Sequence, residues 1–183
     1  MTTDKIRPRS AAQPSTLRAM LAAPLLPDAV VLVAMDLMNL GAMGHPVHRD
    51  DAPLASAAND FANTQLFEAD GQMTMVVVSG DFRADPVNLS GVLGVMDVIE
   101  VSEKVAAQRT GQHPNALAPF GHRLSMSVVI DVDLSQHRRV WLPAGDPHYV
   151  FASTYSELLR ITAGMAAEVG ELPRTDPATT MQG

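Results

Sequence analysis

The stretch Gln72–Gln108, QMTMVVVSGDFRADPVNLSGVLGVMDVIEVSEKVAAQ, constrains the fold more than any other part of this chain. Met73–Val78 is a short apolar run rich in β-branched residues, which suits a strand. The turn residues Ser79-Gly80-Asp81 follow, and then Asp85-Pro86, a helix-capping residue before the residue favoured at the first helical position. Leu89, Val92, Leu93, Met96 and Ile99 recur at helical spacing and predict one apolar stripe laid on a sheet. Gly91 and Gly94 each weaken that helix by about 1 kcal/mol relative to Ala, so Val95–Val101 also suits a strand. Strand, polar loop and helix in this order make half of an α/β unit, and ligands tend to bind where such loops leave the strands.

Upstream, Pro27-Asp28 precedes AVVLVAMDLMNLGAMG. Ala29–Met35 reads as a buried strand ending at Asp36, although a helix starting at Asp28 fits the same continuous apolar run. Three valines and the glycines at 41 and 44 favour the strand. Pro53 is read as opening a helix through about Glu68, which Ala69-Asp70-Gly71 stops. Arg123–Asp133 alternates apolar and polar residues as a half-buried strand does. Leu134–Gln136 would turn it into RRVWLPAG as an antiparallel hairpin, with Asp131 and Asp133 facing Arg138 and Arg139 across the strands. Tyr149–Phe151 is a further short strand. Thr154 and Glu157 form a capping box for a last helix with Leu158, Ile161, Thr162, Met165 and Val169 on one face, ended by Gly170.

These elements predict an α/β (or α+β) fold. A mixed β-sheet of about four strands would join a parallel β-α-β crossover to an antiparallel hairpin, with helices packed on it. At 183 residues and 46% hydrophobic content the chain suits one globular domain, placed at 16–172, between a flexible arm at 1–15 and a polar tail at 173–183.

The absence of cysteine excludes disulfides, thiolate metal sites and a cysteine nucleophile. A formal charge of −7 argues against a nucleic-acid partner. Ala29–Met35, the longest apolar run, is far shorter than the ~20 residues a bilayer needs, so no membrane is expected and the cytoplasm is the expected location.

Ionisable residues gather in three places. Asp36 and Asp81, at presumed strand ends, would share one rim and divide acid and base roles. In HPVHRDD, His45 and His48 stand three apart beside carboxylates and suit a divalent metal or a general base near neutral pH; with Met35, Met38 and Met43 the set also suits copper. His148, after the turn Gly145-Asp146-Pro147, stands between two apolar segments and would face a cleft. The leading expectation is therefore a small enzyme acting on a small molecule by acid–base chemistry through Asp36, Asp81, His48 and His148. A non-catalytic assembly or adaptor subunit using the basic arm and an open sheet face, with self-association or a protein partner, is the alternative. A metal- or ligand-binding protein using segment 35–48, with His45 and His48 as ligands, is the third.

Overall fold

A computed structural model describes residues 25–52, 60–80 and 82–172. The arm at 1–15, residues 53–59 of the helix expected from Pro53, Asp81 and the tail 173–183 lie outside the described residues. In chain order the strands are β1 (Val47–His48), β2 (Ala62–Ala69), β3 (Gln72–Ser79), β4 (Arg83–Ala84), β5 (Val98–Glu100), β6 (Ser127–Asp131), β7 (Val140–Pro143), β8 (Tyr149–Ser153), β9 (Met165–Ala167) and β10 (Gly170–Glu171). Among the described residues four α-helices join them: α1 (Asp28–Asn39), α2 (Pro86–Leu93), α3 (Glu103–Thr110) and α4 (Tyr155–Thr162).

The architecture is mixed α/β, as expected. A five-stranded sheet runs β5-β2-β3-β6-β9, and two small antiparallel sheets, β1-β8-β7 and β10-β4, flank it. β2 and β3 form an antiparallel hairpin from Ala62↔Ser79 to Ala69↔Gln72. β3 pairs parallel with β6, and β6 parallel with β9. The sheet is buried on both faces. Met75 and Val77 of β3 enter one core with Leu66, Ile130 and Phe151, while Val76 and Val78 enter another with Phe67, Leu89 and Val129. A strand covered on both faces has no polar alternation, which is why β3 reads as an unbroken apolar run. No helix among the described residues is long and apolar enough to cross a membrane.

Several local expectations are corrected. Residues 28–39 form a helix, not a strand. Val30, Val33 and Leu37, at helical spacing, are fully or almost fully buried, whereas Val31, Leu32, Met35 and Met38 on the other side stay exposed. Asp36 therefore sits on a helix and not at a strand end. Residues 62–69, expected as the end of a helix, are strand β2, because an eight-residue register with β3 outweighs the weak local preference.

The parallel crossover links β3 to β6. The predicted hairpin of β6 with β7 is replaced by one of β7 with β8. Asp131 causes that change: its Oδ1 accepts from Asp133 N at 2.8 Å and starts a 3-10 turn, Val132–Gln136, that leads the chain out of the sheet. Asp131 is also 3% exposed, so it is no member of a wet face.

The capping residues behave as their chemistry dictates. Asp85 Oδ1 accepts from Val87 N at 3.1 Å at the start of α2, which ends at Gly94 with φ 68°. The chain beyond becomes β5, the strand alternative for Val95–Val101. Thr154 Oγ1 accepts from Glu157 N at 3.2 Å, but α4 stops at Ala163, short of Gly170. Burial, and after it the Asp131 charge, push the Tyr155 phenol above its ordinary pKa of 10.0, so it is protonated at neutral pH.

Asp131 Oδ2 accepts from the backbone N–H groups of Val169 and Gly170, tying β6 to the start of β10. Asp131→Ala would orphan three backbone donors. We expect it to lower unfolding free energy by about 3 kcal/mol in urea denaturation with an unchanged m-value. A loss below about 0.5 kcal/mol would contradict this role.

Candidate functional site

On its β5 side, strand β2 is left unpaired over part of its length. β5 pairs with β2 only at Phe67, Glu68 and Ala69, and Val101 N donates to Leu66 O at 3.0 Å as the last link. The chain then turns away into α3, whose first turn Ser102 caps through Val105 N. Leu66 O points to the outer edge. Alternation along the strand therefore puts the backbone N–H and C=O of Thr64 on that same edge, where β5 no longer reaches. A hollow of about 210 Å³ lies there, lined by Asn63–Leu66 of β2, by Arg83, Glu100 and Glu103, and by Pro114, Asn115 and Leu117.

Both walls are held from behind. Gln65 is buried; its Oε1 accepts from Ala84 N at 2.7 Å and its Nε2 donates to Glu100 Oε1 at 2.9 Å. Arg83 Nη2 donates to the same oxygen at 2.8 Å. One oxygen of Glu100 is thus fixed by two donors, and the carboxylate remains half-exposed. On the far wall Gln112, buried, donates to Phe120 O and accepts from Ala118 N at 2.7 Å. His113 N and Ala116 O are bonded to Gly145, so the 3-10 turn Pro114–Ala116 that carries Asn115 is pinned.

Gly121, at φ 74°, lies so close to Val33 that a Cβ would come within 2.8 Å of its backbone nitrogen, and its N–H donates to Asp36 Oδ2 at 2.8 Å. The Thr64 hydroxyl is buried and has no hydrogen-bond partner among the described residues. A second hollow, of about 310 Å³, shares Asn63 and Asn115 with the first and adds Arg49, Phe61 and Pro143. The Arg49 guanidinium sits 4.9 Å above the Phe61 ring.

Residues 51–161 match the family model of the aminoacyl-tRNA editing domain. The chain belongs to that family. A proline–tRNA ligase of Desulfotalea psychrophila is 26% identical over 114 residues, which are 62% of this chain and 20% of the ligase. The chain thus corresponds to about a fifth of that curated relative. Among solved structures, a candidate trans-editing enzyme for prolyl tRNA synthetase is 21% identical, with a TM-score of 0.72 over 81% of this chain and 99% of that one. A scaffold protein for computational grafting of linear epitopes is 23% identical, with a TM-score of 0.72 over 80% and 99%. At such identities the structural likeness speaks to the fold.

The editing-domain match contains every residue that lines the smaller hollow. Among the described residues, Asp36, His45, His48 and His148 do not line it. Asp36 holds Gly121 from α1. His48 and His148 are brought together, with rings stacked at 6.0 Å and 8° between planes, and His48 also meets the Tyr149 ring edge-on. His48 Nδ1 accepts from Asp50 N and lies 3.4 Å from Asp50 Oδ2. His45 is exposed three residues earlier. No group of three or more His, Asp or Glu side chains among the described residues is placed to hold a metal. Asp81 lies outside the described residues.

Sequence reasoning missed Gln65, Glu100 and Asn115. Gln65 and Glu100 are 35 residues apart and meet only because β5 folds back on β2. Gln65→Ala is expected to cost about 2 kcal/mol in chemical denaturation, since it orphans the buried Ala84 N–H. Glu100→Gln, in a half-exposed pair, should cost less than about 1 kcal/mol. Equal losses would contradict the division between support and site.

Proposed function

We propose that this protein hydrolyses the ester of a misacylated tRNA, acting on a tRNA of the proline system that carries a small amino acid. The observation that carries this reading is the family match over residues 51–161 together with the open edge of β2 inside it. The proline ligase relative and the candidate trans-editing structure support the choice of tRNA. The volume of about 210 Å³, below the ~300–1,000 Å³ of ordinary small-molecule sites, favours a small aminoacyl group.

In this reading the aminoacyl group lies along the edge of β2. The fixed Glu100 carboxylate receives its α-ammonium, and the amides of Asn63 and Asn115 flank the ester carbonyl. Glu103, which has no partner among the described residues, takes a proton from the attacking water. The C–O bond to the ribose breaks, Glu103 returns that proton to the ribose oxygen, and the amino acid and the free tRNA hydroxyl leave. Arg49, exposed above Phe61 in the adjoining hollow, meets the phosphate of the terminal nucleotide. The acid–base chemistry expected of Asp36, His48 and His148 passes to these carboxylates. The stacked histidines remain a second proposal, tested by the double substitution to Ala.

A nucleic-acid partner runs against the expectation drawn from the net charge of −7. Net charge is a sum over the whole chain, whereas reading one acylated 3′ end needs only a few local contacts. Such a role places the protein with the translation machinery in the cytoplasm.

Deacylation of alanyl-tRNAPro by the full chain, with prolyl-tRNAPro as control, tests the proposal. We expect selective release of alanine, and at least about a tenfold slower rate for Glu100→Gln and for Glu103→Gln, a transition-state loss of ~1.4 kcal/mol or more. No release from either tRNA, or unchanged rates in both variants, would overturn it.

A further inference from the structure

A hollow of about 310 Å³ lies away from the open edge of β2, between the Met43–Val47 segment and the corner where β8 passes into α4. Its wall includes His45, Arg139, Trp141, Ser153 and Glu157. The segment is seated tightly: a Cβ at Gly44 would stand 2.0 Å from Ala152 O, so only glycine fits there. The Glu157 side chain is 6% exposed. Its Oε1 accepts from Met43 N at 2.8 Å and its Oε2 from Ser153 Oγ at 2.7 Å.

Both donors are neutral. The nearest cation, Arg160, is 3.9 Å away and spends its guanidinium on Leu40 O and Gly41 O, at 3.1 and 3.2 Å. A carboxylate has about four acceptor positions, and two here are filled. A charge so buried is costly unless a cation or strong donors reach it. Arg139, on the same hollow's lining, is exposed and makes no hydrogen bond or ion pair among the described residues. Trp141 and Val47 give the space between them an apolar wall. A fixed anion, a free cation and an apolar wall around a small volume are the complement of a zwitterion.

We propose that this hollow binds a free amino acid, with its α-ammonium on Glu157, its α-carboxylate on Arg139 and its side chain against Trp141. The site is separate from the proposed editing cleft and does not rest on that reading, since the two hollows share no lining residue.

The test is titration of the full-length protein with the proteinogenic amino acids one by one, followed by protein NMR. Propylamine and propionate serve as half-ligand controls. At least one amino acid should bind saturably at about 1 mM or below, and neither control should. Glu157→Gln, whose amide oxygen still accepts from Met43 N while its Nε2 donates to Ser153 Oγ, and Arg139→Ala should each weaken it at least about tenfold. Glu100→Gln, in the other cleft, should leave it unchanged. Arg139 is exposed and unpartnered, so its variant carries the test even if the Glu157 variant fails to fold. The proposal fails if no amino acid saturates, if propylamine alone binds equally well, or if both variants bind as the wild type does. It also fails if Glu100→Gln abolishes binding, because the ligand then occupies the other cleft.

Discussion

The last hydrogen bond between β5 and β2, from Val101 N to Leu66 O, is the constraint on which the candidate site depends. From Leu66 to Ala69 the outer edge of β2 is paired and closed; before Leu66 it is open. Unpaired strand edges invite association, and proteins usually cover or blunt them. Here α3 and the pinned turn at Pro114–Ala116 stand off from the edge and leave a hollow between. In the proposed function this open edge is the recognition surface, since backbone N–H and C=O groups at fixed spacing suit the polar atoms of an aminoacyl group. Gln65, within that stretch, ties β2 to Ala84 and to Glu100.

How much of this the sequence makes legible depends on the range of the interactions. β3 is legible because double-sided burial writes itself as Met75–Val78, four consecutive fully buried residues. The Asp85-Pro86 and Thr154 caps are legible because a side chain bonding a backbone N–H two or three residues on needs only local geometry. α1 is misread for a physical reason. Its buried residues Val30, Val33 and Leu37 do follow helical spacing, but the exposed Val31, Leu32, Met35 and Met38 fill in the pattern and hide its period. β2 has little β-branched content and is a strand because β3 lies beside it. The mixed α/β class survives these errors, since it needs only one parallel pairing and one hairpin, whichever strands supply them.

The site is less legible than the fold. Gln65 and Glu100 have no reason to be noticed singly; a glutamine in a strand and a glutamate beside valines carry no motif. Histidines and aspartates in loops draw attention because of their chemistry, yet Asp36 holds Gly121 against α1 and His48 stacks on His148. Asp131, expected on a wet strand face, is instead a buried acceptor for three backbone groups. Asp36 and Asp131 thus serve the backbone, a role that no local pattern in the sequence announces.

The most direct test is backbone NMR of the protein titrated with a non-hydrolysable alanyl-adenosine in which an amide replaces the ester. The largest shifts are expected at Asn63–Leu66, with Glu100, Glu103 and Asn115 on the facing walls. Shifts confined to Met43–Val47 and Ser153–Glu157, or no saturable shifts, would contradict the assignment of the open edge of β2 as the editing cleft.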